Sequence, residues 1–236
     1  VNPPDPSPGP RAADAEPAHV VVGAWSAIAV EIALPGGAVV RGQRWGADPA
    51  ILLLHAPGSD RDLDDWGDLP AALAAAVGAG VLALDSPGHG LSDDGDLGND
   101  PAVLVSAICA TPAGHAIRAV VAAGETAGAL LAAGPVFPLA GLVCVSPASD
   151  RLANPNALPR SPRLPKLLLV RSGADNQELE HARSVSRAVG GWAVVVGISA
   201  NGPGTALLEG ASAAAVRDHV AGFLRECLAR NRTVHA

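Results

Sequence analysis

Unbroken apolar runs constrain this chain more than any other feature: Ile51-Leu52-Leu53-Leu54, Val81-Leu82-Ala83-Leu84, Val120-Val121-Ala122-Ala123, Leu142-Val143-Cys144-Val145 and the stretch from Lys166 to Val170. None alternates apolar with polar. A strand with one face in water alternates, whereas an unbroken run is how a strand covered on both faces reads. The segments between the runs have helical character. Asp64 to Val77 spaces Trp66, Leu69, Leu73 and Val77 three to four apart, and Gly78 and Gly80 stop it. Helices are also expected over 101–116, with Pro112 as a break, and over 127–133, 178–189 and 211–229. A last strand is expected over 192–197. Ahead of all this, SAIAVEIAL and AVVRGQRW flank Pro35-Gly36-Gly37 and read as a hairpin.

A hairpin followed by alternating buried strands and helices specifies an α/β fold, with a mostly parallel central sheet covered by helices on both faces. One domain over 20–230 is expected, between a Pro-rich flexible tail (1–19) and a short C-terminal tail (231–236). In such sheets ligands bind beyond the carboxyl ends of the strands. The informative residues are therefore those just after Leu54, Leu84, Ala123, Val145, Val170 and Gly197.

Composition narrows the functional classes. Aromatic residues are 3%, with no Tyr, so stacking platforms for nucleobases are nearly excluded. The absence of Met argues in the same way against Met-rich binding grooves. The formal net charge of −7 gives no general attraction to nucleic acid or anionic lipid. No apolar stretch reaches the length of a membrane span. The cysteines, Cys109, Cys144 and Cys227, have neither metal-ligand spacing nor a disulfide framework, and the odd count points to a reducing, cytoplasmic setting. No secretory signal is read at the N-terminus. Val1 would fit a GTG start codon of a high-GC bacterial gene.

The strand ends carry the chemistry. After Leu54 stands His55-Ala56-Pro57-Gly58. After Leu84 comes Asp85-Ser86-Pro87-Gly88-His89-Gly90-Leu91-Ser92, and after Ala123 comes Gly124-Glu125-Thr126-Ala127-Gly128. After Val170 stands Arg171-Ser172-Gly173-Ala174-Asp175. The DSPGHGLS stretch behind LLLHAPG, with a G-x-T-x-G frame between strand and helix, resembles the α/β-hydrolase fold superfamily. The resemblance runs from about Ala27 to Leu228. No dinucleotide or phosphate-loop pattern competes, and no cofactor or metal is expected.

The resemblance implies a nucleophile on the turn after Ala123, a histidine base, an orienting acid and two oxyanion N–H donors. Thr126 stands where the frame puts the nucleophile, usually Ser. It is either that nucleophile or a polar residue bonded locally. A β-branched residue resists the left-handed backbone that such a turn imposes. Ala127 is the expected oxyanion donor from the helix. The other donor position falls on Pro57, which has no N–H. Asp175 matches the orienting acid, with Asp150 the other place the family uses. The loop where the family places its base, Gly197 to Leu208, contains no histidine; the frame puts Pro203 there, or Asn201 after a small slip. Asn cannot act as a general base near neutral pH. His181 and His219 are expected away from this loop, and His89 is expected to pack a turn. Arg171 is expected to pair with Asp175 or Glu178. Asp60, Asp62, Asp64, Asp65 and Asp68 read as a solvated face with Asp64 as a helix N-cap, and Asp93, Asp94 and Asp96 read the same way. The segment SPASDRLANPNALPRSPRLP, in place of the helical cap many members insert, implies an open pocket.

Three departures coincide: Thr for Ser, Pro for His, and Pro in the oxyanion loop. They imply a pseudoenzyme with impaired or lost hydrolysis and a binding, scaffolding or regulatory role toward a small-molecule ligand or a protein partner. The alternative is an esterase, thioesterase or amidase using Thr126 with a base from elsewhere. A lyase-type use of the scaffold without a nucleophile is a third option.

Overall fold

A computed structural model describes residues 25–58, 61–134, 138–148, 152–160, 163–172, 176–200, 202 and 204–234. The expected tail over 1–19 lies outside them. Strands β1 (Ala27–Ala33) and β2 (Val39–Trp45) form the antiparallel hairpin. Its turn is closed by the Leu34 N–H on the Ala38 carbonyl at 2.8 Å, with Gly36 and Gly37 both at positive φ. The remaining strands are β3 (Pro49–Leu54), β4 (Gly80–Leu84), β5 (Ala119–Ala123), β6 (Gly141–Val145), β7 (Lys166–Arg171) and β8 (Ala193–Ile198). They complete one sheet in the order β1-β2-β4-β3-β5-β6-β7-β8, parallel throughout from β4 to β8.

The unbroken runs are central strands, and the sheet has apolar cover on both faces. Leu52, Leu54, Val120, Ala122, Leu168 and Val170 face one layer, which contains α2 (Pro101–Cys109), α3 (Gly124–Ala133) and α4 (Gln177–Val189). Ile51, Leu53, Val121, Val143, Leu167 and Leu169 face the other, formed by α1 (Leu69–Val77) and α5 (Ala213–Val234).

Several boundaries differ from the sequence reading, each for a local reason. The helix expected over 64–77 is broken into a 3-10 turn, Leu63–Trp66, and α1. Gly67 takes φ 53 between them, and Pro70 has no N–H to carry the first helix onward. Asp62, not Asp64, caps that turn, its carboxylate accepting from the Asp64 N–H at 2.9 Å. Helix α2 ends at Cys109 rather than near 116, because Pro112 disfavours helical geometry at Thr111. Asp100 caps its start, accepting from the Ala102 N–H at 3.0 Å. Helix α3 begins at Gly124, three residues before the expected start. Helix α5 runs on to Val234, so the expected C-terminal tail from 231 is largely helix.

The chain moves from β3 to β4 on one side and then returns to β5 on the other. That reversal creates a topological switch point between the carboxyl ends of β3 and β5, where ligands of open α/β sheets bind. Residues His55 and Gly124 follow those two ends.

Candidate functional site

The turn between β5 and α3 differs from the sequence expectation by two residues. Its left-handed residue is Gly124, with φ 54, and not Thr126, which lies inside the first turn of α3. Gly124 has no side chain to offer. A Cβ built on it would stand 2.8 Å from the Cβ of Ala56, a separation that real Cβ atoms essentially never show. The loop after β3 therefore packs against the turn where a nucleophile's side chain would project.

Thr126 is buried, and its hydroxyl donates to the main-chain carbonyl of His55 at 2.8 Å. That bond ties α3 to the end of β3 and uses the only proton the hydroxyl has. Ala127 is fully buried one residue further along. Counting from the cap at Ala123, the N–H groups without an intrahelical partner are those of 123–126. The helix donors nearest the turn thus precede Ala127.

Two imidazoles stand beside this turn, and both are committed to the backbone. The Ser86 N–H donates to His55 Nε2 at 3.1 Å, while His55 Nδ1 donates to the Ala56 carbonyl at 2.7 Å. The Gly58 N–H donates to His89 Nε2 at 3.1 Å, and His89 Nδ1 donates to the Pro87 carbonyl at 3.1 Å. In each ring Nε2 accepts a backbone N–H and Nδ1 faces a carbonyl, so the Nε2 lone pair is occupied. The rings meet edge to face with centroids 5.2 Å apart. Burial holds the His55 imidazole below its ordinary value, and the neighbouring His89 adds to the effect. In the loop expected to hold an oxyanion, Pro57 is exposed and has no N–H, and the N–H of Gly58 donates to His89.

Asp85 organises the loops around the turn. Its buried carboxylate accepts from the Leu63 N–H at 2.8 Å and from the Leu91 N–H at 3.0 Å. Sequence reasoning did not single it out, although the DSPGHG stretch begins with it. Gly90 makes the clasp feasible, since a Cβ there would fall 2.2 Å from the carboxylate. Arg41 joins the hairpin to the same loop, donating to the Leu91 carbonyl at 2.8 Å and pairing with Asp93 at 2.6 Å.

Asp175, Asp150, Asn201, Pro203 and Asp60 lie outside the described residues. Arg171 pairs with Glu178 at 2.7 Å, the second of its two expected partners. Asp65 pairs with Arg61 at 3.2 Å and Asp68 pairs with Arg217, so these acids of the α1 face have basic neighbours. His219 is exposed on α5. His181 lies on α4 and lines a pocket of about 480 Å³ together with Ser146 and Glu178. Ser146 follows Val145, one of the strand ends marked as informative by the sequence, although no role was assigned to it there. It is buried and takes φ 49, and it is one of two non-glycine residues with positive φ among those described. A Val-Ser-Pro stretch gives no sequence signal for that conformation. No helix of the described residues is long and apolar enough to cross a membrane.

No family model matches the sequence, and no curated protein matches it. Solved structures do resemble the fold. The esterase Pf2001 of Pyrococcus furiosus is 16% identical with a TM-score of 0.63, over 86% of this chain and 91% of that one. A CIB-like hydrolase of Thermoplasma acidophilum is 20% identical with a TM-score of 0.63, over 86% of this chain and 99% of that one. An esterase of Pyrobaculum calidifontis is 14% identical with a TM-score of 0.61, over 85% of both chains. At such identities the likeness concerns the fold alone.

Proposed function

Because this chain has the α/β-hydrolase fold, we propose that it is a member in which hydrolysis at the strand-to-helix turn has lapsed and which acts by binding. The observation that carries this reading is Gly124. Nucleophilic catalysis on this scaffold needs a side-chain oxygen or sulfur on the left-handed residue of the turn, within reach of a base. Here that residue has only a hydrogen, and Ala56 occupies the space in front of it. The two imidazoles beside the turn accept backbone N–H groups through the lone pairs a general base would use. The alternative, a hydrolase with Thr126 as nucleophile, would have to break the bond from Thr126 to the His55 carbonyl and find a base elsewhere.

Hydrolysis of p-nitrophenyl acetate and butyrate separates the two readings. The native protein, Thr126→Ala and Pro203→His are expected to give the same rate, close to that of the heat-denatured protein. Restoring an imidazole at 203 gains nothing when the turn offers no hydroxyl. A native rate far above the blank and lost in T126A would overturn the proposal.

A further inference from the structure

The crossover from β6 to β7 breaks the pattern set by the rest of the sheet. Every other parallel crossover carries an α-helix: α1 between β3 and β4, α2 between β4 and β5, α3 between β5 and β6, and α4 between β7 and β8. The described residues between Val145 and Lys166 contain none, and Pro155–Ala157 form a single 3-10 turn there. Leu168 and Val170 are buried against α4 all the same, and together with Leu152 of the connection and Ala182 and Val185 of α4 they line a space that no crossover helix fills. The result is a pocket of about 480 Å³, within the range that holds small ligands.

Polar residues are among those that line this largely apolar space. Ser146 holds a backbone geometry that residues with a side chain rarely adopt, fixed by its N–H on the Leu169 carbonyl at 2.7 Å. Ser146 lines the pocket, and among the described residues its hydroxyl has no hydrogen-bond partner. The His181 imidazole lines the same pocket from α4. Glu178, the acid of the rim, already has its charge met by Arg171 at 2.7 Å. A charged head group would therefore meet a satisfied ion pair, whereas a neutral hydroxyl or carbonyl could bond to Ser146 and His181 without desolvating an ion.

We infer that this pocket is a binding site for a compact, uncharged aliphatic or single-ring compound carrying one hydroxyl or carbonyl group, which is held by Ser146 Oγ with the apolar body against Leu168, Val170 and Val185. The inference names the site of the binding role proposed above. Its experiment reads binding rather than turnover, so it can fail while the loss of hydrolysis stands.

The probes are 1-hexanol, hexanoate and hexylammonium, with binding followed by ligand-observed NMR on the full chain. Hexanol is expected to bind at least several-fold tighter than either ion. Ser146→Ala is expected to weaken hexanol roughly 3- to 10-fold, the worth of one hydrogen bond. Val185→Trp, which fills the pocket, is expected to abolish binding. Since that variant can lose its fold, a diazirine analogue of hexanol is cross-linked to the native protein and mapped by mass spectrometry. Labelling of the peptides carrying Ser146, Leu168 or Val185, suppressed by excess hexanol, is the expected result. Labelling confined to other peptides, an unchanged affinity in S146A, or tighter binding of either ion would overturn the inference.

Discussion

Thr126 and Gly124 divide between them what one residue does in a hydrolase of this fold. Thr126 has the hydroxyl but lies within the helix, and Gly124 has the backbone geometry but no side chain. Substituting each tests the division. Thr126→Val keeps the shape and removes the donor to the His55 carbonyl, at an expected cost of about 1 kcal/mol of stability by urea denaturation and no change in any esterase rate. Gly124→Ser restores a hydroxyl at the turn but forces a side chain into a left-handed conformation and against Ala56. It is expected to cost about 2–4 kcal/mol and to gain no hydrolysis. His55 adds a pH dependence. Burial holds its imidazole below the ordinary 6.5, so the folded chain keeps it neutral while the unfolded chain takes up a proton. The stability it contributes is complete above about pH 6.5 and is lost as pH falls toward the lowered folded value. Thermal melts should therefore show a falling Tm below that pH, with a shallower fall in His55→Gln.

Among the elements, the unbroken runs and the hairpin turn were legible, whereas the helix boundaries near Gly67, Cys109 and Gly124 were not. The unbroken runs from Ile51 to Leu54 and from Leu142 to Val145 read as strands covered on both faces, and they are. The start of α3 was displaced in the sequence reading because the G-x-T-x-G frame, counted from its glycines, suggested that Thr126 sat on the turn. Backbone φ decides that register, and the sequence Ala-Ala-Gly-Glu-Thr allows the turn at Gly124 at no steric cost. Pairing partners escaped for a similar reason. The clasp of Asp85 on the N–H groups of Leu63 and Leu91 joins segments 22 and 6 residues away, so no local pattern announces it. Its worth is measurable. Asp85→Asn leaves one side-chain oxygen to serve both donors and turns an NH2 toward the other, with an expected loss of about 1–3 kcal/mol.

At the scale of the whole molecule, the sheet is covered on both faces, and the left-handed residue of the turn at its switch point is Gly124. Selection on the fold and on the site has different requirements. A parallel sheet needs only apolar volume on two faces, which Ala, Val and Leu supply here. A hydrolytic site needs particular atoms at particular distances, and here Thr126, the two imidazoles and the Gly58 N–H bond to the main chain or to one another and hold loops together. The same burial makes the thiols inert. Cys109 is pushed up to about 11 and Cys227 to about 12, so native protein should react with a disulfide reagent only as fast as it opens. We propose that no activated hydroxyl exists at the switch point, and covalent trapping reads this in one step. Native protein incubated with a fluorophosphonate and examined by intact mass is expected to carry no adduct at millimolar reagent. A stoichiometric adduct mapping to Thr126 would contradict the claim.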